Sequence, residues 1–143
     1  MLKHVPALLT PDLLHALASM GHGDELALVD AHFPAARIAR EGGATLLHLP
    51  GAGLPTLLRA VLVLLPLDDF EPAAWSMQVV GDAGAVPPAV AEAQAVLASA
   101  SERPAASLER FAFYERATRA FAVVACGETR TYGNLLLRKG VLR

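Results

Sequence analysis

Residues 21–34 read Gly-His-Gly-Asp-Glu-Leu-Ala-Leu-Val-Asp-Ala-His-Phe-Pro, and this stretch decides the fold that the sequence predicts. Its short apolar run, Leu26–Val29, is typical of a buried strand. Asp30 follows directly, and ligands of open α/β sheets collect at the carboxyl ends of strands. His22 stands between two glycines that leave its imidazole uncrowded, and histidine titrates near neutral pH. We therefore predict that His22 and Asp30 meet the same polar ligand; the plain alternative is that His22 is an exposed loop residue.

Outward from this strand, helix and strand patterns alternate along the chain. Apolar residues at helical spacing predict helices over 11–20, 54–65, 89–100 and 113–120. Short apolar runs predict strands over 25–30, 44–49 (buried), 75–80, 108–111, 121–126 and 135–137, while 34–43 is predicted to be a loop. The economical arrangement is an α/β fold of three layers, with a mostly parallel sheet and helices on both faces. The length of 143 residues predicts one domain over 1–143.

The composition limits the partners of the chain. Hydrophobic residues make up 54% and charged residues only 18%, an apolar excess that we expect partner subunits to cover. The net charge is −2 with acids and bases interspersed, so no basic stripe is available to bind nucleic acid. Apolar runs such as 60–65 are far shorter than the roughly 20 residues of a membrane-spanning helix, so no membrane association is expected.

The single cysteine and the first residues indicate the compartment. Cys126 ends an apolar run, which favours a buried small hydrophobic residue over a catalytic thiol, and it has no partner for an internal disulfide. The first residues lack a basic region followed by a long apolar stretch, so no signal peptide is expected. Both features predict a cytoplasmic protein.

Three further polar positions are candidate site residues. Asp68 follows the helix predicted over 54–65, where a carboxylate opposes the helix dipole, and this favours a duty beyond that of a solvated turn residue. Tyr114 carries a phenol that donates and accepts, which suits a sugar hydroxyl; half-buried packing is its alternative. Arg110, four residues earlier, has a guanidinium suited to bind either the ligand or an acidic residue of a neighbouring subunit.

The tripeptide Tyr132-Gly133-Asn134 is a compact polar element that leads into the last predicted strand. Tyrosine offers a flat face and a hydroxyl, asparagine offers donors and an acceptor, and glycine permits close approach of the backbone to a ligand. A plain turn explains the glycine and the asparagine equally well.

No cofactor or metal is expected from the motifs. Asp30 and His32 are two residues apart, but no third ligand stands at a spacing typical of a metal site. Gly51 and Gly53 lack the third glycine of a dinucleotide-binding motif. The sequence also contains neither a P-loop nor a Gly-x-Ser-x-Gly nucleophile motif.

Taken together, these segments resemble the L-fucose mutarotase and D-ribose pyranase family. The block Arg-Phe-x-Phe-Tyr-Glu-Arg-Ala and the pattern Tyr-Gly-Asn-x-x-Leu are similar to the fucose branch, since the ribose branch carries a histidine where Tyr114 stands. Stretches 35–53 and 81–106 depart from better-known members. The matching segments span nearly the whole chain and are 9–14, 20–25, 30–34, 64–68, 110–117 and 129–140.

The resemblance implies a ribose-pyranase-like fold and an L-fucose mutarotase, which interconverts the α and β anomers of the sugar by acid/base ring opening and closure without a cofactor. It implies that His22 is the catalytic acid/base. It also implies rings of subunits, often decamers, with sites between adjacent copies. The residues that would line the sugar site are Asp30, Asp68, Arg110, Tyr114, Tyr132, Gly133 and Asn134.

Three alternatives stay open at this point. One is a D-ribose pyranase-type isomerase, against which Tyr114 argues. Another is a ring that binds a monosaccharide without catalysis, and the last is a structural scaffold. Rates of anomer exchange and sugar binding distinguish all of them.

Overall fold

A single mixed sheet is the middle layer of the computed structural model, which describes residues 1–70 and 72–143. The strands of the sheet are β1 (Glu25–Val29), β2 (Thr45–Leu49), β3 (Ala74–Met77), β4 (Ala106–Leu108), β5 (Ala122–Cys126) and β6 (Leu135–Arg138). The helices are α1 (Pro11–Ser19), α2 (Ala35–Gly42), α3 (Leu54–Leu62), α4 (Pro88–Ser99) and α5 (Arg110–Thr118).

The strand order is β2-β5-β1-β6-β3-β4. The pairs β1–β5, β2–β5 and β3–β4 are parallel, whereas β6 runs antiparallel to both β1 and β3. The predicted α/β class is confirmed, with β6 as the strand that makes the sheet mixed. Because β6 runs against β1, the start of β6 lies beside the end of β1, and this places Asn134 next to Asp30.

Alternate residues of β1 enter two different cores, which confirms the layers. Leu26 and Leu28 pack on the side covered by α1, α3 and α4. Ala27 and Val29 pack on the other side, which α2 and α5 cover. The alternation follows from the two-residue period of a strand, and it explains why the whole run is apolar: both faces of β1 are buried.

The first helix forms as predicted, ending at Ser19, and a turn that holds His22 follows it. The Thr10 hydroxyl oxygen accepts from the Leu13 amide at 3.2 Å, and proline occupies the first position of α1. Gly23, with a φ of +86°, lets the chain reverse from α1 into β1. Its amide donates to the carbonyl of Lys139 at 2.8 Å, so the turn lies against the end of β6.

The loop predicted over 34–43 is wrong, because these residues form α2. Ala35, Ile38 and Ala39 are buried at spacings of three and four residues, which is the apolar stripe of a helix. Gly43 ends the helix in the left-handed conformation. Pro34 before this short stretch and the glycine pair 42–43 at its end favoured a loop in the sequence.

Several predicted boundaries also shift. The strand predicted over 108–111 is wrong, because β4 ends at residue 108 and α5 begins at Arg110. The strand predicted to be buried over 44–49 is instead the edge strand β2, in which only Leu49 is buried. The helix predicted to reach 65 ends at 62, and the strand predicted to reach 80 ends at 77.

Two remaining predictions concern apolar character. Cys126 is buried, as predicted, and burial raises the pKa of its thiol, which is the opposite of what an activated nucleophile needs. No helix within residues 1–70 and 72–143 combines the length and the apolar character needed to cross a bilayer.

Candidate functional site

Asp30 is buried at the end of β1 and fastens two segments together. Its Oδ1 accepts from the His32 amide at 2.9 Å, and its Oδ2 accepts from the Gly133 amide at 3.0 Å. Its own amide donates to Oδ1 of Asn134 at 2.9 Å. The carboxylate therefore holds the tripeptide 132–134 against the strand.

The tripeptide is confined by its neighbours. Tyr132 adopts a φ of +60°, a conformation that non-glycine residues rarely adopt, and its hydroxyl accepts from the Val80 amide at 3.2 Å. A Cβ at Gly133 would lie 2.6 Å from Cγ of Glu128, so any larger residue there must displace the buried Glu128 side chain. Such enforced backbone geometry is frequent at binding sites.

The first turn of α5 brings Arg110 and Tyr114 to the same place. Glu109 caps the helix, since its Oε2 accepts from the amides of residues 111 and 112 at 2.9 and 3.1 Å. The Arg110 guanidinium lies 4.7 Å from the centre of the Phe111 ring, and its Nε is buried without a hydrogen-bond partner among the described residues. Tyr114 packs edge-on against Phe33 at 5.3 Å.

These side chains surround a cavity of about 250 Å³, which we call the β1-end pocket. It is smaller than the ~300–1,000 Å³ of pockets that hold drug-sized ligands, and its polar groups suit a small polar molecule. Gly133 is not in the wall of this pocket, but its amide donates to Asp30, which is. The predicted residues in its wall are Asp30, Arg110, Tyr114, Tyr132 and Asn134.

A larger cavity, of about 590 Å³, lies between α3 and α4. Arg130 in its wall is bound to Glu92 and to Glu128, each at 2.7 Å. Arg130 and the two glutamates therefore neutralise one another. The β1-end pocket, in contrast, holds the Arg110 Nε, which has no hydrogen-bond partner among the described residues. The smaller cavity is the better candidate for a polar ligand.

His22 lies at the opposite end of β1. The residue precedes the strand and Asp30 follows it, and five residues of strand separate the two ends by roughly 16 Å. The prediction that His22 and Asp30 meet one ligand is therefore wrong within a single chain. Proximity in sequence was misleading because the seven residues between them include the extended strand β1.

His22 has Asp68 as its neighbour instead. Its Nε2 lies 3.4 Å from Oδ1 of Asp68; the imidazole is 50% exposed and the carboxylate side chain only 5%. Burial alone would raise the pKa of Asp68. The amide of Phe70, the His22 imidazole and the Arg138 guanidinium outweigh burial and hold that pKa below its ordinary value. Asp68 is thus ionised at neutral pH and able to orient the imidazole.

Charged residues that were not predicted from the sequence surround the pair formed by His22 and Asp68. Arg116 binds both carboxylate oxygens of Glu25, with Nε at 3.0 and 2.9 Å from them, and its guanidinium lies 3.6 Å from the centre of the Trp75 ring. Arg138 lies beside Glu25 and Asp68. The missing signal was the antiparallel pairing that sets residue 138 opposite residue 25.

The residue pair that suggested a metal has another role. Nε2 of His32 lies 2.9 Å from the carbonyl oxygen of Thr129, so the ring fastens one loop to another. Across the part of the chain that the structure describes, no group of three or more His, Cys, Asp or Glu residues is arranged to hold a metal ion.

Comparisons with known proteins agree on one family. The model described as the RbsD / FucU transport protein family matches residues 3–142. The fucose mutarotases of Homo sapiens and Bos taurus are 53% and 51% identical to the chain, over 99% of it and 94% of their own lengths. The crystal structure of a fucose mutarotase in complex with L-fucose from Streptococcus pneumoniae superposes with a TM-score of 0.90 at 37% identity, covering 99% of this chain and 100% of that one.

Proposed function

The chain belongs to the RbsD / FucU transport protein family, and from this premise we propose that it is a fucose mutarotase, an isomerase that interconverts the α and β anomers of L-fucose. The observation that carries the proposal is identity of about half the residues to fucose mutarotases over nearly the whole chain. The polar character of the β1-end pocket agrees with a sugar ligand.

The chemistry of the reaction needs little machinery. The anomeric hydroxyl loses its proton while the ring oxygen gains one, so the hemiacetal C–O bond breaks and the open aldehyde forms. Rotation of the carbonyl group and reclosure then give the other anomer. A positioned proton donor and acceptor suffices, and such groups typically contribute ~10²–10⁴-fold to a rate.

His22 is proposed as that acid/base. Its half-exposed imidazole is free to meet a ligand, while the buried Asp68 carboxylate holds it from behind. A carboxylate at this position fixes the orientation of the ring that takes and returns the proton.

The β1-end pocket is proposed to hold the sugar hydroxyls. Arg110, Tyr114 and Tyr132 supply donors and acceptors at its wall. Asn134 completes the polar surface, and its Oδ1 already accepts from the Asp30 amide. The Asp30 carboxylate accepts from two backbone amides, which leaves it further lone pairs for a hydroxyl and makes its first duty the support of residue 133.

A sugar that touches both His22 and the β1-end pocket must lie between two copies of the chain, because the two groups occupy opposite ends of β1. Exposed apolar side chains at each end support such an interface. Phe70, Val141 and Leu142 are exposed near the Asp68 end, and Val80 and Phe111 near the pocket. The proposed assembly is a ring homo-oligomer, a decamer by family resemblance, of single-domain copies (residues 1–143) in the cytoplasm.

The test of the function is anomer exchange of L-fucose, followed by saturation-difference NMR. The substitution His22→Ala is expected to slow exchange by ~10²-fold or more, because the proton carrier is lost. His15→Ala, which removes an exposed histidine of α1, is the control and should leave the rate unchanged. Exchange at the wild-type rate in folded His22→Ala protein would contradict the role of this residue, and a wild-type protein without effect on L-fucose would contradict the function.

A further inference from the structure

The two oxygens of the Asp68 carboxylate face different partners. Oδ1 lies 3.4 Å from the His22 ring, and Oδ2 lies 3.8 Å from Nη1 of Arg138. Arg138 also contacts Asp68 through its backbone, since its carbonyl accepts from the Asp68 amide at 3.0 Å. Arg138 therefore contacts Asp68 twice: its carbonyl binds the Asp68 amide, and its guanidinium faces the carboxylate that lies behind the proposed acid/base.

Arg138 is itself held by a second set of side chains. Its Nε lies 3.7 Å from Oε1 of Glu25, which is its register partner in β1, and its guanidinium lies 5.4 Å from the centre of the Trp75 ring. Arg116 binds both oxygens of Glu25 and stacks on the same tryptophan at 3.6 Å. Three strands and α5 thus fix where the Arg138 guanidinium lies.

The Arg138 side chain interacts with Glu25 and Asp68 through its charge and forms no hydrogen bond with either carboxylate. Distances of 3.7 and 3.8 Å exceed those of a hydrogen bond, and its Nε is buried without a hydrogen-bond partner among the described residues. A buried hydrogen-bond donor without an acceptor destabilises the folded state and is rare in native proteins. The presence of one at Arg138 therefore needs an explanation other than stability. Fixing a charge behind Asp68 provides one.

We propose that Arg138 is a positioning residue for mutarotation: it holds the Asp68 carboxylate in the orientation that aligns the His22 imidazole, and Glu25, Arg116 and Trp75 hold Arg138 in turn. The inference rests on the proposed role of His22. Charged groups reach Asp68 from three sides: His22 from the turn before β1, Arg138 from β6, and Arg103, whose Nη2 donates to the Asp68 carbonyl at 2.8 Å. Arg138 is the cation among them that faces the second carboxylate oxygen.

The test compares Arg138→Gln with Arg138→Lys in the assembled protein, by NMR measurement of kcat and KM for L-fucose. Arg138→Gln is expected to lower kcat about tenfold with KM nearly unchanged, since it removes alignment of a group worth ~10²–10⁴-fold but no sugar contact. Arg138→Lys keeps the charge but loses the planar fork and the stacking, so we expect a loss of about threefold. Arg143→Gln, which removes an exposed cation bound to Asp69 at 2.5 Å, is the matched control and should leave kcat unchanged.

The pH profile separates positioning from a general structural effect. Without Arg138 the pKa of the Asp68 carboxyl rises, so the acid limb of kcat is expected to move to higher pH in Arg138→Gln. A folded Arg138→Gln protein with the wild-type kcat and acid limb would overturn the inference. If this variant does not fold, Arg138→Lys decides through kcat alone, since it keeps the charge: the wild-type kcat in folded Arg138→Lys protein would overturn the inference. If His22→Ala also proves fully active, the proposed site fails; if only the Arg138 variants do, the site stands.

Discussion

Single residues around Asp30 hold the backbone in a form that local preferences oppose. Tyr132 has a φ of +60°, a conformation that costs on the order of 1 kcal/mol for a residue with a Cβ. The Val80 amide, bound to the Tyr132 hydroxyl, and the Asp30 carboxylate, bound to the Gly133 amide, offset that cost. The polar ends of residues 132–134 are consequently set before any ligand arrives, which lowers the ordering entropy lost on binding.

Gly133 offers a test at this scale. Gly133→Ala would place a Cβ 2.6 Å from Cγ of the buried Glu128, and the strain is expected to lower the free energy of unfolding by ~1–3 kcal/mol. The affinity for L-fucose should fall with it, because the amide bonded to Asp30 moves. Denaturant unfolding and saturation-difference NMR measure the two effects.

The control for this substitution is Gly51→Ala. A Cβ at Gly51 meets no atom within 4 Å, so the free energy of unfolding should change by less than ~0.5 kcal/mol. Equal stability of the two variants would show that the close approach at residue 133 does not constrain the tripeptide.

Among the elements, the start of α5 sets the position of Arg110. The Glu109 carboxylate accepts from two amides of the first turn, and such caps contribute about 1 kcal/mol. Arg110 is the first residue of the helix, so any fraying there displaces its guanidinium from the β1-end pocket.

Glu109→Ala is therefore expected to cost ~0.5–2 kcal/mol in unfolding free energy and to raise KM for L-fucose. Glu115→Ala, an exposed position within the same helix, loses the same charge but no cap and should change neither quantity. Denaturant titration and NMR exchange at several sugar concentrations provide the measurements. A destabilised Glu109→Ala variant with the wild-type KM would contradict the link between helix capping and sugar binding.

For the whole molecule, the opposite positions of His22 and the β1-end pocket decide how activity depends on assembly. Subunit mixing tests this directly. Mixed oligomers of His22→Ala and Arg110→Ala chains are expected to recover about one quarter of the wild-type rate, because random assembly joins two intact halves at one interface in four. The rate of L-fucose exchange after co-refolding, against each variant alone, is the measurement.

The matched control mixes His22→Ala with Asp68→Asn. Both substitutions fall in the same half of the proposed site, since the two side chains are 3.4 Å apart, so no interface contains an intact copy of that half. Recovery of activity in this mixture, or its absence in the first one, would contradict a site shared between copies.

The sequence by itself determined the local elements and the residue types of the site. Neighbouring residues alone encode the cap and proline of α1, the apolar run of β1 and the polar tripeptide before β6. All three were predicted from the sequence. The family resemblance was also evident from the sequence, because the motifs that carry it lie in order along the chain. The helix α2 was not predicted because it is only eight residues long and lies between Pro34 and the glycine pair 42–43, which are typical of loops.

Only the tertiary structure decided which polar residues meet. The direction of β6 joins Asn134 to Asp30 at one end of β1 and brings Arg138 to Glu25 and Asp68 at the other. Contacts across more than 100 positions, such as that between residues 30 and 134, depend on strand order and direction, which local periodicity does not encode. For the same reason the sequence set His22 beside Asp30, whereas the extended strand between them holds the two apart.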